Sequence, residues 1–373
     1  HTKNVFKTKL GFRVKDDHVV SLSLKYRRLK FVPRALASFK FLKKLDLSNN
    51  HLEEFPDFVC ELSDLETIHL GDNDLNNLTE SFGNLERLRV LVLWVNKLKS
   101  LPESFGKLKA LEILHLGGNS LENLPNSFPR LKSLRCLFLY GNKIKTLPKS
   151  FGQLKKLKRL VMYHNFLEEL PESFGSLENL ERCNIKRNDL FSLPSTIGDL
   201  KHVKILLLGG NFLKTLHPSI GQLSALKNLD LRYNDLVYLP SSFRNLINLR
   251  YLDIRGNSIS LLPLGFQKLM IRKWITIDHS GYWDDQNLCP FDALSLRAYY
   301  KELNEWSPDD VVEKIKNNQP LSVFDKKNHR LGPCLGHILE NTKNVDNQVK
   351  RDFLHYMWDK FGVWTWSGAR ILL

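Results

Sequence analysis

The chain has no apolar run of about 18 residues, which excludes a membrane-spanning helix. Its opening decapeptide, HTKNVFKTKL, holds no apolar stretch of the kind a secretory signal requires. Cysteine is scarce: five in 373 residues, scattered and odd in number. That excludes a disulfide-stapled scaffold and points to a reducing, cytoplasmic setting. A glycine-rich phosphate loop, a kinase signature, His-Glu-x-x-His and Gly-x-Ser-x-Gly are all missing, so the commonest catalytic chemistries have no foothold. Charge is plentiful at 25% but is balanced by 42% hydrophobic residues, which excludes disorder as the dominant state.

What the chain has in excess is leucine, with 59 in residues 1–269 against 11 in residues 270–373. Composition changes at that point, so a domain boundary is expected there. The net charge of +15 is uneven as well: residues 1–44 hold 13 basic and two acidic side chains, and residues 45–100 hold four and 11. Residues 270–373 carry 14 of each sign and add nothing.

The leucines recur with a period of 23 residues. Leu42, Leu45, Leu47, Asn50 and Leu52 spell L-x-x-L-x-L-x-x-N-x-L, and the asparagine returns at 73, 96, 119, 142, 165, 188, 211, 234 and 257 without one insertion. A degenerate copy precedes them, with Val19, Leu22, Leu24 and Arg27 in the asparagine place, and another follows, with Ile275, Ile277 and Ser280. Alternating apolar residues predict a short strand in each copy, and the asparagine is suited to bond backbone groups left unpaired where the chain leaves that strand. The second half of a copy reads L-P-x-S-F-G-x-L, as from Leu101 to Leu108. Its phenylalanines at 82, 105, 128, 151, 174, 243 and 266, replaced by Val59, Ile197 and Ile220, predict an internal aromatic spine.

Residues 19–280 thereby resemble the leucine-rich repeat family, in its 23-residue intracellular form, with likeness to Ras-group-related and archaeal repeat proteins. The resemblance implies an α/β solenoid of about 12 coils with a parallel sheet on its concave side. Residues 9–24 alternate on both sides of Lys15, Asp16, Asp17 and His18, which predicts a β-hairpin. Three units are therefore expected: an N-terminal hairpin cap over 1–18, the solenoid over 19–280, and a helical, tryptophan-rich unit over 281–373.

In such a solenoid the leucines point inward, and the third, fifth, seventh and eighth positions of each copy face the concave surface. Several copies carry small or polar residues there, such as Ser21, Ser23, Lys44 and Asp46. The middle copies instead carry Trp94, Phe138, Tyr140, Val161 and Tyr163, an exposed apolar and aromatic strip of the kind that marks a partner site, with tryptophan and tyrosine the types enriched among interface anchors. Partner contact, cover by another part of the chain, and mutual stacking that stiffens the sheet all account for this strip; partner contact is favoured. Beside it lie Arg159, Arg182, Lys186, Arg232 and Tyr233, with Asp230 and Asp253 offset by Arg232 and Arg255. An apolar strip beside a basic margin suits a protein partner with an acidic or mixed acidic and apolar surface. No cofactor is implied. Nucleic acid is the disfavoured partner class, because the basic clusters at 25–30 and 155–159 lie in different coils and no nucleic-acid module is present.

Residues 281–373 hold five of the seven tryptophans. Helices are expected over 290–306 and 344–361, with a strong start signal at Ser307, Pro308, Asp309 and Asp310. This unit reads as a cap for the open end of the solenoid or as a second interaction module. A catalytic use through Cys289 is disfavoured: Cys289, Pro290, Phe291 and Asp292 hold one residue too many for the Cys-x-Asp motif of bacterial ubiquitin ligases. His329, Cys334 and His337 lack a fourth metal ligand nearby. His69 and His115 are expected as surface side chains. The functional expectation is a non-catalytic interaction scaffold; attachment to a larger protein or ribonucleoprotein assembly by the basic N-terminal end is the alternative.

Overall fold

The structure, a computed structural model, describes residues 11–259, Pro263 and the strand 276–278. The expected helical unit over 281–373, with Cys289, His329, Cys334 and His337, lies outside the described residues, as does Phe266.

Strand β1 (Gly11–Lys15) pairs antiparallel with β2 (His18–Ser23). Asp16 and Asp17 make the turn with φ of 48° and 60°. This left-handed pair matches the twist of two adjoining strands, and short polar side chains tolerate it. Strand β2 also opens the parallel sheet, because Leu22 lies opposite Leu45 of β3 (Lys44–Asp46). Each following coil adds one three-residue strand in sequence order, up to β13 (Thr276–Asp278). The last step corrects the expected register of the degenerate copy. Ile277, not Ile275, stands opposite Leu252 of β12 (Tyr251–Asp253), a step of 25 residues where the repeat has 23.

Inside, the repeat leucines are almost wholly buried in one continuous core. The phenylalanine spine is present: Phe82, Phe105, Phe128, Phe151, Phe174 and Phe243 are each 0% exposed. Phe82 and Phe105 stack at 6.1 Å, Phe105 and Phe128 at 6.4 Å, and Phe151 and Phe174 at 6.3 Å. Phe55, which the pattern did not single out, extends the spine by packing tilted on Phe82 at 5.4 Å. On the convex side Pro102 opens the tight turn Glu103–Lys107 with its ring-fixed φ. Gly106 follows because a Cβ there would come within 2.6 Å of Ser127 in the next coil. Removing that carbon lets Ser127 bond the Glu103 carbonyl at 2.6 Å.

The asparagines form the expected ladder. Asn119 donates from Nδ2 to the carbonyls of Leu93 (2.9 Å) and Leu116 (3.0 Å), and its Oδ1 accepts from the Leu98 N–H at 3.1 Å. One side chain thus satisfies three backbone groups shared by two coils, which a buried turn would otherwise leave unpaired. The residue just before each asparagine has a positive φ: Asn49, Asp72, Val95, Gly118, Gly141, His164, Arg187, Gly210, Tyr233 and Gly256. This eighth position is therefore a left-handed corner where the chain leaves the concave face, and the concave floor itself is built from the third, fifth and seventh positions.

Candidate functional site

Two residues apart on a strand means the same face, so the fifth and seventh positions of successive coils form two parallel rows about 4.8 Å apart from coil to coil. In the middle coils these rows are tiled with rings. Phe138 ends β7 (Cys136–Phe138) and lies in register between His115 of β6 (Ile113–His115) and Val161 of β8 (Arg159–Val161). The His115 and Phe138 rings stack at 4.8 Å, and the Arg159 guanidinium sits over the other side of Phe138 at 5.1 Å. In the neighbouring row Tyr140 and Tyr163 are parallel at 5.0 Å, and Tyr140 meets His115 edge-on at 5.6 Å. Such pairs contribute about 0.5–1.5 kcal/mol each beyond their burial, so the strip is ordered before any partner arrives.

The rings need a flat bed. Tyr140 lies across Gly117, where a Cβ would stand 2.5 Å from the phenol ring, and Trp94 lies across Gly71 at 2.4 Å. Trp94 has no ring contact with Tyr140 or Tyr163 among the described residues, so it forms a separate platform next to Val95. Val95 is a β-branched residue at the left-handed corner (φ 49°) and is 45% exposed, a strained choice that the core does not require.

His115 corrects the expectation of a surface side chain. Its ring is half-buried beneath Phe138 and Tyr140, burial lowers its pKa, and its Nδ1 is buried without a hydrogen-bond partner. The clue was present in the repeat, since position 115 is the equivalent of Phe138 one coil earlier. Burial raises the Tyr140 pKa, with Tyr163 adding to it.

The charged margin divides into two parts. Toward the C-terminal coils Lys186 pairs with Asp230 at 2.8 Å, and Arg232 approaches Asp230 at 3.2 Å and Asp253 at 3.9 Å. Arg255 holds Asp253 through two bonds of 3.0 and 2.7 Å, and the Tyr251 hydroxyl donates a third at 3.1 Å. Burial opposes the charge on Asp253, which is 0% exposed, but these bonds outweigh it and lower the carboxyl's pKa. Lys186 and Arg232 are thereby neutralised within the sheet. Arg159 and Arg182, in register on β8 and β9 (Arg182–Asn184), are exposed, as is Arg187 at the next corner. No carboxylate among the described residues pairs with these three. Tyr233 stands apart from the strip, at the corner over Gly256, and is 55% exposed. Cys183 occupies an inward leucine position, where burial pushes its thiol far above the usual range.

The structure thus brings Phe138, Tyr140, Arg159, Val161 and Tyr163 together, adds His115, and leaves Trp94 and Tyr233 outside the cluster. No group of metal-binding side chains is assembled among the described residues, and no helix there is long and apolar enough to cross a membrane.

Comparison with known proteins agrees with this architecture. A family model described as a leucine-rich repeat region matches residues 72–167, and a second, described as leucine rich repeat, matches 40–98 and 201–259. The structure is similar to that of a TDR receptor (TM-score 0.63, 29% identity), over 70% of this chain and 47% of that one. It is also similar to the Arabidopsis receptor kinase HAESA in complex with the peptide hormone IDA and the co-receptor SERK1 (TM-score 0.61, 27% identity, 72% of this chain and 47% of that one). This chain spans about half the length of those two receptor structures. The leucine-rich repeats of FLRT2, solved with Latrophilin 3 and Unc5D, share the fold at 22% identity and a TM-score of 0.57, over 72% of this chain and 92% of that one. No curated protein sequence matches the chain.

Proposed function

Given that the chain is a leucine-rich repeat protein, we propose that it is a non-catalytic interaction scaffold that holds a protein partner on its concave face. The observation that carries this reading is the tiled cluster of His115, Phe138, Tyr140 and Tyr163, held open to solvent on one side and flanked by Arg159 and Arg182. An aromatic surface already fixed in place loses little entropy on binding, and tyrosine and phenylalanine supply large contact area with few rotamers to freeze. The HAESA structure, with a peptide hormone and a co-receptor bound, lends support by fold. The unpaired guanidinium groups favour acidic side chains at the margin of that partner.

Single-stranded nucleic acid fits less well. Base stacking needs free ring faces, whereas Phe138 lies between His115 and Arg159, and Tyr140 between Gly117 and Tyr163.

The test is affinity purification with mass-spectrometric identification, comparing the intact chain with Phe138→Glu. The substitution should leave the fold intact, because position 138 lies on the outer side of its strand, and should weaken capture of the specific partner by 2 kcal/mol or more, roughly thirtyfold. Retention of the same partners by a folded variant would move the contact off the concave face.

A further inference from the structure

The concave strip is not where this protein exposes its largest apolar side chains. Trp94, Phe138, Tyr140 and Tyr163 are all partly covered by their neighbours, whereas Phe166, Phe191, Phe212, Val237 and Tyr238 are 49, 54, 46, 50 and 48% exposed. These five lie just past the asparagine ladder, on the flank where each coil runs from the concave face toward the convex turns.

The repeat supplies its own control. The residue after the ladder asparagine is His51, Asp74, Lys97, Ser120 and Lys143 in five successive coils, then Phe166, and two coils later Phe212. Two residues further on, the same coils carry Glu53, Asn76, Lys99, Glu122 and Lys145, whereas later coils carry Phe191 and Val237. The solenoid is built equally well with polar groups at these places, so the apolar ones do not serve the fold.

The flank is also rigid. Asp189, Phe212 and Asp235 donate their backbone N–H groups to Leu167, Leu190 and Leu213 of the preceding coil at 2.9, 3.0 and 3.0 Å. On that scaffold Phe191 and Phe212 stack across coils at 5.8 Å. From Phe166 to Tyr238 the patch crosses three coil steps, about 15 Å. It joins the concave strip at one corner: Tyr163 meets His164 at 5.8 Å, Arg187 bonds His164 at 2.6 Å, and Phe166 follows two residues on.

We propose that this flank is a second binding platform, and that it takes an extended peptide segment in which an acidic stretch, lying on the concave rim, leads into large apolar side chains seated on Phe166, Phe191, Phe212 and Tyr238. The apolar half stands on the flank alone. The acidic half rests on the concave reading above, because it uses the exposed Arg182 and Arg187; on the flank itself Glu168, Asp189 and Asp235 stand against Lys214, so the flank offers its apolar side chains and no attraction for acidic groups.

The test is selection of a random dodecapeptide display library on the full chain, followed by fluorescence anisotropy of the recovered peptides. Recovered sequences should place Asp or Glu beside Phe, Trp or Leu, and Phe191→Ser with Phe212→Ser should weaken them about tenfold or more. Both side chains are half-exposed, so the double variant loses their mutual stacking but should stay folded at the assay temperature; Tyr238→Ser serves if it does not. Loss of binding only in Phe138→Glu would overturn the flank platform and leave the concave site standing. Loss only in the flank variant would do the reverse. Absence of any enriched peptide, or tight binding of an oligouridylate that Arg182→Glu abolishes, would overturn the proposal.

Discussion

Each strand of this sheet shows one face to the core and the other to solvent, and repetition has treated the two faces differently. The inner face hardly varies: Leu91, Leu114, Leu137, Leu160, Cys183 and Leu206 follow one another at one position, all at 1% exposure or less. Three residues further along each coil the outer face does not repeat: the seventh position runs Ser48, Gly71, Trp94, Gly117, Tyr140, Tyr163, Lys186 and Gly209. What recurs is what stacking coils demand. What does not recur is free of that demand, and there the aromatic and charged choices reflect contacts made outside the core.

The sharpest way to break this contrast is on the inner face. Phe105→Ala removes a spine ring that is 0% exposed and should destabilise the chain by about 3–5 kcal/mol in urea unfolding, leaving any surviving folded protein with normal concave binding. A loss below ~1 kcal/mol would mean that the spine is loosely packed. A smaller effect is expected at the bed of the strip. Gly117→Ala puts a methyl where the Tyr140 ring lies and should tilt that ring away, costing about 1–2 kcal/mol of stability and weakening capture of the concave partner. Unchanged capture would show that the Tyr140 orientation is irrelevant to binding.

The smallest effect concerns pH. His115 has a depressed pKa in the folded protein because burial disfavours its charged form. Its contribution is therefore complete above the unfolded histidine value, about 6.5, and is lost as pH falls through the folded value. Melting temperature should drop as pH is lowered from neutral, and His115→Phe should flatten that drop. His69, also depressed by burial, leaves a residual slope. An unaltered slope in the variant would place the pH response elsewhere.

Much of the fold was legible in the repeat because its requirements are local and periodic. Leu45, Asn50 and Phe82 each announce a strand, a turn and a spine by type and spacing, and stacking translates one coil into the next. The register of β13 was not, because the degenerate copy around Ile275 and Ile277 has alternating apolar residues that fit two offsets equally, and only pairing with β12 chooses between them. The candidate site was half legible. Phe138, Tyr140 and Tyr163 stood out as large residues in places usually small, whereas His115 passed as a surface group because histidine carries no mark of what stacks on it. Lys186 and Arg232 looked available for a partner until Asp230 and Asp253 were seen to hold them.

Sequence by itself determined the solenoid: a fixed period with leucine, asparagine and phenylalanine at set places leaves stacking as the one arrangement that buries every apolar face and pairs every turn. Tertiary structure decided which outward side chains lean on one another, which charges are cancelled, and which rings stay in water. Those outcomes depend on residues 23 positions apart meeting across coils, a proximity that the order of residues along the chain does not contain.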